Sequence, residues 1–144
     1  MNNLSPDKRF ELHYFTRDDD SYFYSNTDYY WHVTSVETGD ELFNFSGTSN
    51  QDSSGSKESG VRDVYFLNDS LGVVAENYDG SQDSHRLPTG IEIVKNGKGL
   101  RLTFSDGTQQ NVPRKKLIHF SRYGQPFELP LKNDPDDKAK KSNK

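Results

Sequence analysis

The stretch from Ile91 to Val112, IEIVKNGKGLRLTFSDGTQQNV, decides the fold class. Asn96-Gly97 and Asp106-Gly107 are dipeptides that take positive φ angles easily, and each separates short runs of apolar and β-branched residues. Two hairpins in succession make a meander. Folding about Asn96-Gly97 sets Ile93 opposite Leu100 and Ile91 opposite Leu102 on one face, with Glu92 opposite Arg101 on the other. A slip of one residue would turn every side chain to the wrong face, so agreement of both faces specifies the register.

The same punctuation continues outward. Tyr30 to Ser46 folds about Glu37-Thr38-Gly39, setting Trp31 opposite Phe45 and Val33 opposite Phe43. Val61 to Leu67 folds onto Leu71 to Asn77 about Asn68, Asp69 and Ser70, bringing Phe66 near Val73 and Val64 near Ala75. Tyr65, Leu67 and Val74 are apolar on the reverse face, which predicts central strands buried on both sides. Arg9 to Phe15 alternates and is expected to pair with Tyr22 to Tyr24 across a loop holding Asp18, Asp19 and Asp20. Gly47 to Gly60, rich in Ser and Gly, reads as a long mobile loop. Lys132 to Lys144 reads as a disordered tail, because Ala139 is its one apolar residue. Helical periodicity is almost absent. The expectation is a mainly β domain over residues 1–131, with seven to nine strands. Its antiparallel hairpins and meander would form one twisted sheet, a small sandwich or an open barrel.

Composition allows such a core but only a lean one. Leu, Ile, Val and Phe number 31 of 144 residues, just above the roughly 20% below which a charged chain stays disordered. A net charge of −4 and 18 aromatic residues favour the folded state. No run approaches the ~18 apolar residues of a membrane span, and no secretory signal opens the sequence. With no cysteine, a reducing compartment fits, and the cytoplasm is the expected location.

Two stretches look like pieces of WD-repeat propeller blades. Val64-Tyr65-Phe66-Leu67-Asn68-Asp69-Ser70-Leu71-Gly72-Val73-Val74-Ala75 is similar to the inner hairpin of a blade, and Val36-Glu37-Thr38-Gly39-Asp40-Glu41-Leu42 to the outer one. The family's Trp-Asp pair is missing, Trp31 stands three residues too early, and no repeat of roughly 40 residues recurs. Ser5-Pro6-Asp7-Lys8-Arg9-Phe10-Glu11-Leu12 resembles the opening of small uncharacterised bacterial proteins, some encoded beside toxins as immunity proteins. Leu102-Thr103-Phe104-Ser105-Asp106-Gly107-Thr108 resembles a hairpin of another bacterial family. The immunity-type resemblance implies a small inhibitor without an active site.

Catalytic signatures are lacking. His13, His32, His85 and His119 are the ordinary candidates for proton transfer near neutral pH, and they read as strand residues facing solvent. No Gly-x-Ser-x-Gly elbow occurs, and without cysteine no thiol nucleophile exists. Asp18-Asp19-Asp20 invites a calcium reading, but an EF-hand loop from Asp18 would need an oxygen side chain at Tyr22 and glycine at Phe23. His13 and His32 lack the close-spaced partner of a zinc site. Gly97 and Gly99 lie in a turn between strands, not before a helix. The sequence therefore predicts neither enzyme, metal nor cofactor.

Charge is the informative feature. Residues 1–94 carry 17 acidic and 6 basic side chains, net −11, while residues 95–144 carry 5 and 12, net +7. Aromatics gather beside the acidic part at Tyr22, Phe23, Tyr24, Tyr29, Tyr30 and Trp31, about half of them core by alternation. This predicts a non-enzymatic binding protein of immunity type, occluding a basic protein such as a toxin through Asp18, Asp19, Asp20, Tyr22, Tyr24, Asp28 and Tyr29. The rival reading is a nucleic-acid module using Lys95, Lys98, Arg101, Arg114, Lys115, Lys116 and Arg122. A third is a carbohydrate-binding domain, with Trp31 and neighbouring tyrosines stacked on sugar rings. A membrane partner is not expected, and self-association stays open.

Overall fold

The computed structural model describes residues 3–21, 24–120 and 124–133. Its strands, in chain order, are β1 (Phe10–Ser21), β2 (Tyr24–Ser35), β3 (Glu41–Asp52), β4 (Gly55–Phe66), β5 (Gly72–Asn77), β6 (Gln82–Arg86), β7 (Gly90–Val94), β8 (Gly99–Thr103), β9 (Gln109–Pro113), β10 (Leu117–Phe120) and β11 (Pro126–Leu129). Strands β1 to β6 form one antiparallel sheet in sequence order, β7 to β9 a second, and β10 with β11 a third. Within each sheet every strand pairs with the one before it in sequence, so the connections inside a sheet are hairpins.

The expected registers are present. Ile93 pairs Leu100, Ile91 pairs Leu102 and Glu92 pairs Arg101. Trp31 pairs Phe45 and Val33 pairs Phe43, while Phe66 pairs Val73 and Val64 pairs Ala75. The turn at Asn96-Gly97 takes four residues instead of two, with positive φ at Lys95, Asn96 and Gly97. Because the added residues fall equally on both sides of the turn, the register survives.

A close crossing of glycines folds the large sheet over itself. The first half of β4 pairs with β3 as far as Gly47 opposite Gly60, and its second half pairs with β5. A Cβ on Gly47 would stand 2.0 Å from the Val61 carbonyl oxygen, and Gly60 has a φ of +79°. Glycine permits both the contact and the conformation. Past the crossing, the inner faces of β1 to β3 meet those of β4 and β5. Phe10, Trp31, Val33, Val61, Val64, Val73, Ala75 and Leu87 are buried there. A second cluster, Leu100, Leu102 and Phe104, joins the three-stranded sheet to the first through Leu42 and Ile91.

The β10–β11 hairpin covers the other face of β1 and β2, stacking His119 on Phe15 with centroids 4.7 Å apart and Phe127 against the same ring at 4.8 Å. An ion pair ties this region to the β2–β3 turn. The Arg114 guanidinium, 3% exposed, meets the fully buried Asp40 carboxylate at 3.0 Å. It also donates to the carbonyls of Thr38, Lys132 and Asn133 at 3.0, 2.8 and 3.3 Å.

Several expectations are corrected. Residues 47–60 are strand: β3 and β4 run on to a tight turn between Asp52 and Gly55. Thr48 donates to Asn26 and Asn50 accepts from Tyr24 across strands, and polar residues on both faces leave no apolar alternation to read. Asp18, Asp19 and Asp20 likewise lie within β1, opposite Thr27, Asn26 and Ser25, and β1 turns only after Ser21. Tyr65 and Leu67 are exposed where full burial was expected, whereas Val74 is buried. Of the expected tail, only Lys132 and Asn133 lie within the described residues, and the Lys132 amide is bonded to the Thr38 carbonyl at 2.9 Å. The described strands number eleven, exceeding the expected nine, because β6, β10 and β11 are short and lack clean alternation.

Candidate functional site

The predicted acidic site is divided by strand parity. Asp18 and Tyr29 share the face that becomes the core, while Asp19, Tyr24 and Asp28 lie on the opposite face. Asp18 accepts a hydrogen bond from Thr27 at 3.0 Å, and Asp28 one from Asn26 at 3.1 Å while standing opposite Arg17. The Tyr24 hydroxyl donates to Asn50 at 3.1 Å. Tyr22 lies outside the described residues, as does the Asp20 side chain. The described members of the set are therefore divided between two faces of the sheet.

What the structure does bring together is a tyrosine cluster at the rim of the main core. Tyr14, 47% exposed, stacks nearly parallel to Tyr29, with centroids 6.4 Å apart and planes 10° apart. Both rings lie beside Trp31, at 5.1 Å and 6.3 Å. Trp31 itself is 6% exposed, so it supports the cluster from beneath and offers no platform for a sugar. The glycine crossing sets the third member: Tyr29 pairs with Gly47, Gly47 with Gly60, and the Tyr78 amide donates to the Gly60 carbonyl at 3.0 Å. Burial and the nearby Tyr29, Tyr78 and Asp63 push the Tyr14 hydroxyl above its ordinary value. Burial, Tyr29 and Glu58 do the same for Tyr78, against an opposing pull from Arg62. Tyr78 and Glu58 also line one notch with Gly60 and Asn77.

Sequence reading missed Tyr14, Tyr78, Glu58 and Asp63. Tyr14 continues the Phe10, Leu12 alternation and so reads as core, and Tyr78 follows a strand whose bend is set by glycines far away in sequence.

The basic alternative is largely engaged internally. Arg114 is buried on Asp40, Lys115 meets Glu41 at 2.6 Å, Lys116 meets Glu128 at 2.8 Å, and Arg101 meets Glu92 at 3.1 Å. Lys95 and Lys98 are the first and last residues of the β7–β8 turn, and Arg122 lies outside the described residues.

His13 and His32, expected to face solvent, are instead covered by the β10–β11 hairpin, whose own His119 packs against His32. His32 is buried, and His13 and His119 are half-buried. His85 is also half-buried, against Phe43 and Phe45. His13 Nε2 hydrogen-bonds with the Thr34 hydroxyl at 2.9 Å, and His32 Nδ1 bonds the Glu41 carboxylate. The Nε2 atoms of His32 and His119 carry no hydrogen bond among the described residues, and the two rings lie 5.3 Å apart. Burial, and the charge that His32 would carry, hold His13 and His119 below their ordinary value. Burial alone would raise Glu41, but hydrogen bonds from His32 and Lys115 outweigh it and hold this carboxyl low. Glu41 thus orients the His32 imidazole, whose Nε2 meets no hydroxyl among the described residues.

No group of three or more His, Cys, Asp or Glu among the described residues is placed to hold a metal ion. Nor is any described helix long and apolar enough to cross a membrane. Compared with known proteins, the chain matches no family model, no curated protein and no solved structure.

Proposed function

We propose that this protein works by binding rather than catalysis, and that its partner is a protein presenting a basic face, which it occludes in the manner of an immunity-type inhibitor. One observation carries the reading: the exposed Tyr14 ring stacks on the half-buried Tyr29 at the rim of the core, and Glu58 and Asp63 lie on β4, whose Gly60 stands opposite Gly47, the partner of Tyr29. Tyrosines supply rigid contact area at small entropic cost, and carboxylates of one sign draw in an oppositely charged partner before contact. The −11 net charge of residues 1–94 supports the same polarity. The opening Ser5-Pro6-Asp7 resemblance supports the inhibitor form, for example against a toxin in the same cytoplasm. Nucleic acid is the weaker reading, since Arg101, Arg114, Lys115 and Lys116 already face carboxylates of this chain.

The test starts with proteins retained by the tagged chain at low salt and released at high salt, each then purified and measured against it by stopped-flow. A purified basic partner whose association slows with salt, and slows again when Glu58 and Asp63 are changed to lysine, is the expected result. Binding of a random DNA duplex at physiological salt, with no basic protein bound, would overturn the reading.

A further inference from the structure

We propose that the cavity between β3 and the β8–β9 hairpin binds a small aromatic carboxylate, its ring among Leu42, Phe43, Leu102 and Phe104 and its carboxylate on the Lys115 ammonium. Such a small-molecule site is independent of the protein-binding reading above.

The cavity has a volume of about 240 Å³, and its polar lining residues are Glu41, Gln110 and Lys115. A bulge builds one wall. Val33 pairs Phe43 and Thr34 pairs Glu41, which leaves Leu42 as the extra residue. Glu41, Leu42 and Phe43 in succession therefore reach the cavity, where a regular strand would turn alternate side chains away. The facing wall is the side of β8 and β9 that carries Leu102, its partner Gln110, and Val112. Its rings are already fixed. The Arg86 guanidinium lies over Phe104 at 4.4 Å, and Phe45 and His85 pack against Phe43 at 6.4 and 5.4 Å.

Size selects a single ring. A dry cavity of about 150 Å³ lined by leucine, isoleucine and phenylalanine accommodates benzene, whereas sites for drug-sized ligands begin at about 300 Å³. At 240 Å³ the cavity takes a benzene-sized ring with a short substituent, not a nucleotide. The polar groups decide what that substituent carries. The Lys115 amide donates to Asp40 at 3.0 Å and its carbonyl accepts from the Glu41 amide at 2.8 Å, so the root of its side chain is fixed. Its ammonium stands 2.6 Å from the buried Glu41 carboxylate, which His32 also holds. Each Glu41 oxygen thus already has a donor, while the Lys115 side chain, 57% exposed, keeps further N–H donors at the cavity mouth. The exposed Gln110 adds an amide. Free donors beside an engaged carboxylate match an anionic acceptor and disfavour a cation. Burying Glu41 here adds little net stability over an apolar side chain; what it achieves is to hold the lysine in place.

The full chain is titrated with sodium phenylacetate while backbone amide NMR shifts and the heat of binding are followed. Phenylacetamide, of the same shape without the charge, is the control. The expected result is saturable binding in the millimolar range or tighter, with shifts centred on Leu42, Phe43, Leu102, Phe104 and Lys115. Phenylacetamide should bind at least about fivefold more weakly, the loss expected of a charge-assisted contact at a partly exposed site. Lys115→Gln should bring phenylacetate down to the level of the amide, and Lys115→Arg should restore most of the difference. Val112→Phe, at a half-buried position, fills the cavity and should abolish binding of both ligands. Absence of saturable shifts at these residues, equal affinity for phenylacetamide, tighter binding of phenethylamine, or phenylacetate binding unmoved by Lys115→Gln would each overturn the proposal. Should Val112→Phe fail to fold, the comparison of ligands on the unaltered chain and the two Lys115 variants decide the matter.

Discussion

Replacing Arg114 by methionine should destabilise the fold more than almost any other change of a charged residue. The substitution keeps the aliphatic stem and removes the guanidinium. Asp40, with no exposed surface, then keeps, among the described residues, the Lys115 amide at 3.0 Å as its side-chain partner. The carbonyls of Thr38 and Lys132 each lose a donor. Breaking a buried pair from one side leaves an uncompensated charge and costs about 3–5 kcal/mol. An unfolding entropy of about 2.1 cal/mol/K per residue over 144 residues is about 0.3 kcal/mol/K. The melting temperature should thus fall by about 10–17 °C. Urea unfolding followed by far-UV circular dichroism measures this directly. The double variant with Asp40→Asn should recover at least about 1 kcal/mol relative to Arg114→Met alone, because the stranded charge is gone while an acceptor remains for Lys115. A loss below about 1 kcal/mol in the single variant, or no recovery in the double, would refute the reasoning.

Acid should weaken the fold in two stages. His13 and His119 lie below their ordinary value of 6.5, so the unfolded chain binds protons first and stability falls as pH drops below that value. Glu41, held below its ordinary 4.5, contributes stability above that value that is lost as pH falls through its folded-state pKa. Urea midpoints at about pH 7.5 and about pH 5.5 should differ, and His119→Phe should shrink the difference; an unchanged difference would count against burial as the cause. At the crossing, Gly47→Ala should cost at least about 3 kcal/mol or block folding, since its Cβ meets backbone. Gly107→Ala, with open space around it but a φ of +86°, should cost only about 1–2 kcal/mol in the same unfolding assay.

How much of this was legible depends on where apolar residues alternate. The meander at Ile91–Val112 and the pairs Trp31–Phe45 and Val64–Ala75 could be read because one face of each strand is buried and register follows from it. Residues 47–60 could not, since Thr48, Ser49 and Asn50 alternate between two polar faces and present the composition of a loop. The candidate site was legible only in its polarity and in Tyr29. Tyr78 is tied to the strand of Tyr29 through Gly60 and Gly47, a close crossing that no local pattern encodes. The histidines were misjudged for the same reason, because their cover arrives from β10 and β11 at the far end of the sequence.

The polar outer halves of β1 to β4 have a further consequence. Past Gly47 and Gly60 these strands share ladders and side-chain hydrogen bonds such as Thr48 to Asn26 and Tyr24 to Asn50, but among the described residues the buried hydrophobic clusters draw nothing from beyond that line. Without apolar burial, opening this blade exposes little that water resists, so it can come apart while the rest stays folded. Its amides should then exchange hydrogen on a shallower free-energy scale than those around Val33 and Val73. A partner seated across the tyrosine rim would grip the root of that blade and slow this exchange, so the protein would carry in its own breathing a record of whether it is bound.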